Sequence, residues 1–139
     1  MTENSDLSEL NIFEKDYYAD NFIIKINELR LSNESIFLLH TNIRSIQSNF
    51  SELECLIHRL HNKPDFIILT ECWITDSITG CSLSGYQSLY SCGGNKNGGI
   101  AVYSNEKTVK MSLELMNFLD YCDSLLIRLV DCHSSRENS

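Results

Sequence analysis

Two short apolar runs with a helix pattern between them constrain this chain more than any other feature. Ser35-Ile36-Phe37-Leu38-Leu39-His40 and Phe66-Ile67-Ile68-Leu69 are of strand length, and the unbroken first run predicts a strand buried on both faces. Between them Phe50, Leu53, Leu56, Ile57 and Leu60 fall within an arc of roughly 120° at helical spacing. Asn49 is the expected cap, Glu52 three residues later completes a capping-box pattern, and Asn62 and Pro64 stop the helix, which is expected near 50–61. A strand, a crossover helix and a second parallel strand pack in one hand in nearly all proteins. Parallel strands end at the same edge of their sheet, so Asn42 and Glu71, each just beyond its run, should emerge side by side. Open α/β sheets hold ligands at that edge. An amide and a carboxylate there suit a hard divalent cation and a phosphate better than an apolar ligand. The plain alternative is that both residues only cap turns, a common use of polar side chains.

A chain of 139 residues can bury one core and is short for two. The net charge is −8, and most of it lies in the first 20 residues, where Glu3, Asp6, Glu9, Glu14, Asp16 and Asp20 face only Lys15. No basic stripe runs along the sequence, so any contact with nucleic acid must be local. Cys55, Cys72, Cys81, Cys92, Cys122 and Cys132 show no zinc spacing, and the polar start Met1-Thr2-Glu3-Asn4 is not a secretory leader. Reduced thiols in an intracellular protein of nucleus or cytoplasm are therefore expected, rather than a disulfide framework. No apolar stretch is long enough to span a bilayer, so no membrane association is expected.

Residues 1–34 read as an acidic lead with a short helix capped by Asp20 or Asn21, carrying Phe22, Ile23, Ile26, Leu29 and Leu31 and ending near Ser32 and Asn33. Beyond residue 74, Gly85–Ser91 and Ile100–Tyr103 flank a turn-rich Gly/Asn connector and predict a β-hairpin. The Gly-Gly pairs lack a following Gly-Lys-Ser/Thr and a helix, which favours a turn over a phosphate cradle. Val109–Leu115 alternates as a strand with one wet face, and Ser124–Val130 reads as a more buried strand. Residues 131–139 are polar and expected to be disordered. His58 and His61 are expected to be solvated residues of the helix surface.

The order of these pieces resembles the endonuclease/exonuclease/phosphatase superfamily, and most nearly the apurinic-type endonuclease domain of non-LTR (LINE-type) retrotransposons. The matching residues are Leu39-His40-Thr41-Asn42-Ile43-Arg44-Ser45-Ile46, then Pro64-Asp65-Phe66-Ile67-Ile68-Leu69-Thr70-Glu71-Cys72-Trp73-Ile74, then Gly85-Tyr86, then Gly98-Gly99-Ile100-Ala101-Val102-Tyr103. The resemblance covers residues 35–130. It implies an incomplete α/β sandwich of that type, with a mixed sheet and packed helices, corresponding to the N-terminal half of the domain. By position Glu71 matches the acidic residue that binds catalytic magnesium, with manganese as a substitute. Asn42 matches the strand-end amide that orients this carboxylate and the scissile phosphate. The implied reaction is hydrolysis of a DNA phosphodiester by an activated water. Arg44 is expected in a structural ion pair, and Trp73 as a core plug beneath the site.

The departures from the pattern bear on activity. The family's Asp-x-Asn pair and its Ser-Asp-His block, which supplies the general base, occur nowhere in the 139 residues, and Asp131-Cys132-His133 is a poor substitute. Cys72 stands where the family has Thr or Ser, a tolerable change for a small buried residue. The expectation is a truncated endonuclease domain that binds metal weakly and is inactive alone. Two alternatives stand beside it: a catalytically inert interaction module or remnant, and a phosphatase of the same superfamily. DNA is the implied partner, and no protein partner can be inferred.

Overall fold

The structure is a computed structural model and describes residues 19–29, 35–74, 81–91, 97–119 and 122–131. The chain separates into two compact units, residues 1–30 and 31–139. The first contains helix α1, Ala19–Glu28, whose buried positions are Ile23 and Ile26. It begins one residue before the expected cap and stops several residues short of the expected end; Ser32 and Asn33 lie outside the described residues.

In the second unit the apolar run before Asn42 forms strand β1, Leu38–Asn42, and the run after Asp65 forms β2, Phe66–Thr70. They pair in parallel with Leu38 opposite Phe66 and Asn42 opposite Thr70. Strand β4, Ile100–Asn105, lies antiparallel on the other side of β2, and β3, Tyr86–Ser91, closes that side, giving the order β1-β2-β4-β3. The sheet is thus mixed, as expected, and the predicted β3–β4 hairpin is present; residues 92–96 of its connector lie outside the described ones. At the amino-terminal end of the β1–β2 pair, Asp65 accepts the Phe37 N–H at 2.8 Å and donates its own N–H to the Phe37 carbonyl at 2.8 Å, joining the starts of the two strands.

Helix α2, Ile46–Arg59, joins β1 to β2 and buries Ile46, Phe50, Leu53 and Ile57. Phe50 stacks at a tilt on Tyr103, with ring centroids 6.2 Å apart. Tyr103 and Ala101 are register partners of Ile67 and Leu69, so these four residues share one sheet face; all are fully buried. Hydrophobic burial on that face is the driving term for the helix–sheet layer. The opposite face of the sheet presents Phe66, Ile68 and Val102. These pack on Val109, Met111, Leu125 and Ile127 of a second, two-stranded sheet made of β5, Val109–Met116, and β6, Leu125–Asp131. The result is an α/β arrangement of helix, mixed sheet and hairpin.

Four expectations need correction. The strand before Asn42 is an edge strand rather than one buried on both faces: Leu38 is half exposed and Ile36 more so. A continuous apolar run specifies a strand, but not which neighbours cover it. Helix α2 begins a turn earlier than expected, at Ile46, with Ser45 as its cap accepting the Ser48 N–H at 3.3 Å, so that Asn49 lies within the first turn rather than before it. Strand β6 is not the more buried one, since Leu126, Leu129 and Val130 are exposed, as are Leu113, Leu115 and Met116 on β5. Asp131 ends β6 rather than opening a disordered tail, and residues 132–139 lie outside the described ones.

Candidate active site at the strand ends

Asn42 is the last residue of β1 and Glu71 the first after β2, so both stand at the carboxyl ends of adjacent parallel strands. Both are exposed. The pairing continues past the ladder through backbone bonds alone: Ile43 N–H to the Thr70 carbonyl at 3.0 Å, Ser45 N–H to Glu71 at 3.0 Å and Ile46 N–H to Cys72 at 2.9 Å. On the other side the Cys72 N–H reaches the Gly99 carbonyl at 3.2 Å and the Trp73 N–H reaches Gly98 at 2.7 Å. Three segments, after β1, after β2 and before β4, are therefore laced edge to edge around the strand ends.

The lacing holds unusual backbone. Arg44 (φ 46°), Ser45 (φ 79°), Glu71 (φ 50°) and Trp73 (φ 51°) are all left-handed without being glycine. Such a conformation costs an L residue roughly 1–2 kcal/mol, and it persists only where the surroundings fix it. At Gly99 (φ 99°) the positive φ strains any other residue, and an added Cβ would press on the Ile74 side chain at 3.1 Å. The Gly99 N–H donates to the Asp123 carboxylate at 2.6 Å, a contact no sequence motif announced.

Around this edge the environment is split. Cys72, next to Glu71, is fully buried; its thiol donates to the Leu69 carbonyl at 3.4 Å, and burial pushes its pKa up to about 12. Cys81 is also buried and pushed up by burial. Cys55, Cys72, Cys81 and Cys122 are free thiols, as expected; Cys92 and Cys132 lie outside the described residues. The hydroxyls of Tyr103 and Tyr90 both donate to the Cys81 carbonyl, at 2.7 and 2.9 Å. On the open face His40 lies two residues before Asn42, with its Nε2 3.3 Å from the Thr70 hydroxyl. The period of two along a strand places His40 and Asn42 on one face, which the sequence could have shown.

Two local expectations fail. Trp73 is not a core plug: its left-handed backbone turns it outward and it is 43% exposed. Arg44, exposed on the loop after β1, has no ion-pair partner among the described residues. His58 and His61 are exposed on or just after α2, as expected. Among the described residues no three His, Cys, Asp or Glu side chains converge to hold a metal. The strand ends supply two hard oxygen donors, the Glu71 carboxylate and the Asn42 amide, which match magnesium in kind and leave most of its ligands to water. A cavity of about 540 Å³ lies instead beside α2, against Cys55, His58, Lys63 and Tyr86, and includes neither Asn42 nor Glu71. No described helix is long and apolar enough to cross a membrane.

No protein-family model and no curated protein matches the chain. Among solved structures it is similar to the 3′ phosphatase NExo from Neisseria, determined bound to a product DNA hairpin. The identity is 16% and the TM-score 0.50, over 70% of this chain and 38% of that one. The chain thus spans less than half the length of that protein. At this identity the likeness is one of fold, an α/β arrangement with a mixed sheet.

Proposed function

We propose that the chain is part of a metal-dependent phosphoester hydrolase of the endonuclease/exonuclease/phosphatase type that acts on DNA, of the non-LTR retrotransposon branch. The observation that carries this reading is the placement of Asn42 and Glu71 at one edge of two parallel strands, where the following segments are held left-handed by shared backbone bonds. Glu71 and Asn42 would hold magnesium, or manganese in its place, and the ion would supply charge neutralisation at the phosphate oxygens. Asn42 donates its amide to the phosphate or to Glu71 and so fixes their relation. Arg44, an exposed cation two residues beyond Asn42 with no carboxylate partner among the described residues, is free to meet the phosphate. The N-I-R-S and T-E-C-W blocks favour the retrotransposon branch. A second reading, removal of a phosphate from a DNA 3′ end, is favoured by the activity named for the Neisseria protein.

The metal reading is tested by electron paramagnetic resonance of Mn²⁺ titrated with the protein and with Glu71→Gln. Bound ion with the wild type and markedly less with the variant is expected. Equal spectra from the two would overturn it.

A further inference from the structure

By residue type Asn49 fits a helix cap, but its side-chain amide makes other bonds. From the first turn of α2 its Nδ2 donates to the Ile43 carbonyl at 2.8 Å and to the Arg44 carbonyl at 2.8 Å. The cap role falls to Ser45. Ile43, Arg44 and Ser45 are the residues that carry the chain from Asn42 into the helix, and Arg44 and Ser45 are the left-handed pair. The bend and the first residue of α2 present the Ile43, Ser45 and Ile46 N–H groups to the Thr70, Glu71 and Cys72 carbonyls. One partly buried side chain thus binds the inner side of the bend, while the backbone of the Glu71 segment binds its outer side.

We infer that Asn49 is a positioning residue for the Asn42–Glu71 site, acting through the bend it clamps rather than on substrate. This rests on the proposed metal reading of the strand ends. The physical argument is one of donors. A carbonyl turned inward by a left-handed residue needs a partner, and a primary amide is the only small side chain with two N–H donors on one nitrogen. Without them Arg44 and Ser45 are free to relax toward right-handed backbone, and the Ser45–Glu71 and Ile46–Cys72 bonds open. Asn42 and Glu71 then lose their fixed separation. Nothing in a helix requires this of Asn49: an acidic residue in the first turn would suit the helix dipole as well or better.

Asn49→Asp separates the two roles, because it keeps size and favours the helix while deleting both donors; Asn49→Ala serves as a second variant. Amide hydrogen exchange of the whole chain is followed by NMR, alongside line broadening by added Mn²⁺ at Asn42 and Glu71. In both variants exchange at Ser45 and Ile46 should accelerate at least tenfold, while Leu53, Ile57 and Val102 stay within about threefold of wild type. The Mn²⁺ needed for half-broadening should rise severalfold. Unchanged Ser45 and Ile46 protection overturns the inference, and so does a uniform loss of protection through helix and sheet. Wild-type resonances untouched by Mn²⁺ would overturn the metal reading, and the exchange comparison would still decide whether Asn49 holds the bend.

Discussion

Ser45 donates its backbone N–H to the carbonyl of Glu71 at 3.0 Å, and both residues have positive φ, 79° and 50°. Each strained residue therefore fixes the other. The bond joins the loop that starts α2 to the loop that follows β2, so the spacing of the strand ends is set by backbone rather than by long side chains. A site built in this way trades stability for geometry.

That trade is measurable at Glu71. Replacing it by glycine removes the left-handed penalty, whereas alanine keeps it. Glu71→Gly should be more stable than Glu71→Ala by about 1 kcal/mol, read from urea melts, and both should lose the Mn²⁺ signal. Equal stability of the two variants would remove the strain argument.

The helix–sheet layer makes a second, graded prediction. Leu60, 2% exposed at the end of α2, should cost roughly 2–5 kcal/mol on truncation to alanine. Leu56 is only partly buried and should cost about 1 kcal/mol. Denaturant melts that rank Leu56→Ala above Leu60→Ala would contradict the observed packing.

Much of this layer was legible in the sequence. The strand–helix–strand order, the hairpin and the strand-end position of Asn42 and Glu71 all follow from apolar periodicity and turn residues. The rest was not, for physical reasons. Whether the run Ile36–Leu39 is central or at an edge depends on which strands pair beside it, and β4 inserted next to β2, leaving Leu38 open. The start of α2 is not legible because Asn49 fits a cap by type, while Ser45, in a positive-φ bend, takes that role only once the bend exists. Trp73 faces outward for a similar reason, since composition says nothing of a left-handed φ at a non-glycine residue.

Cys72, Tyr103 and the half-buried Tyr86 make stability fall at alkaline pH. Burial raises Cys72 to about 12 and pushes Tyr103 up, aided by its bond with Tyr90; burial and then the charge of Asp65 push Tyr86 up. The folded chain keeps these protons at a pH where the unfolded chain, with ordinary thiols and phenols, has lost them. Stability is therefore unaffected by these groups below about pH 8.5 and falls above it, until each folded pKa is passed. The slope approaches about 1.4 kcal/mol per pH unit for each group fully released on unfolding. Urea melts at pH 8 and 10.5 should show a smaller loss for Cys72→Ala than for wild type. An equal loss would mean that Cys72 titrates alike in both states.

The last prediction concerns catalysis. The purified 139-residue chain should nick supercoiled plasmid no faster than its Glu71→Ala variant, with magnesium or manganese present. Glu71 and Asn42 supply one carboxylate and one amide, so a bound ion stays mostly water-ligated and weakly held. No Asp-x-Asn or Ser-Asp-His sequence is present to place a general base against the attacking water, and that help is typically worth roughly 10²–10⁴ in rate. The exposed Leu126, Leu129 and Val130 on β6 and Leu115 and Met116 on β5 should also favour association of copies over turnover. Light scattering should therefore rise with concentration while the plasmid remains supercoiled. Nicking by the wild type that disappears in Glu71→Ala would show that the strand-end pair is sufficient for hydrolysis without a separate base.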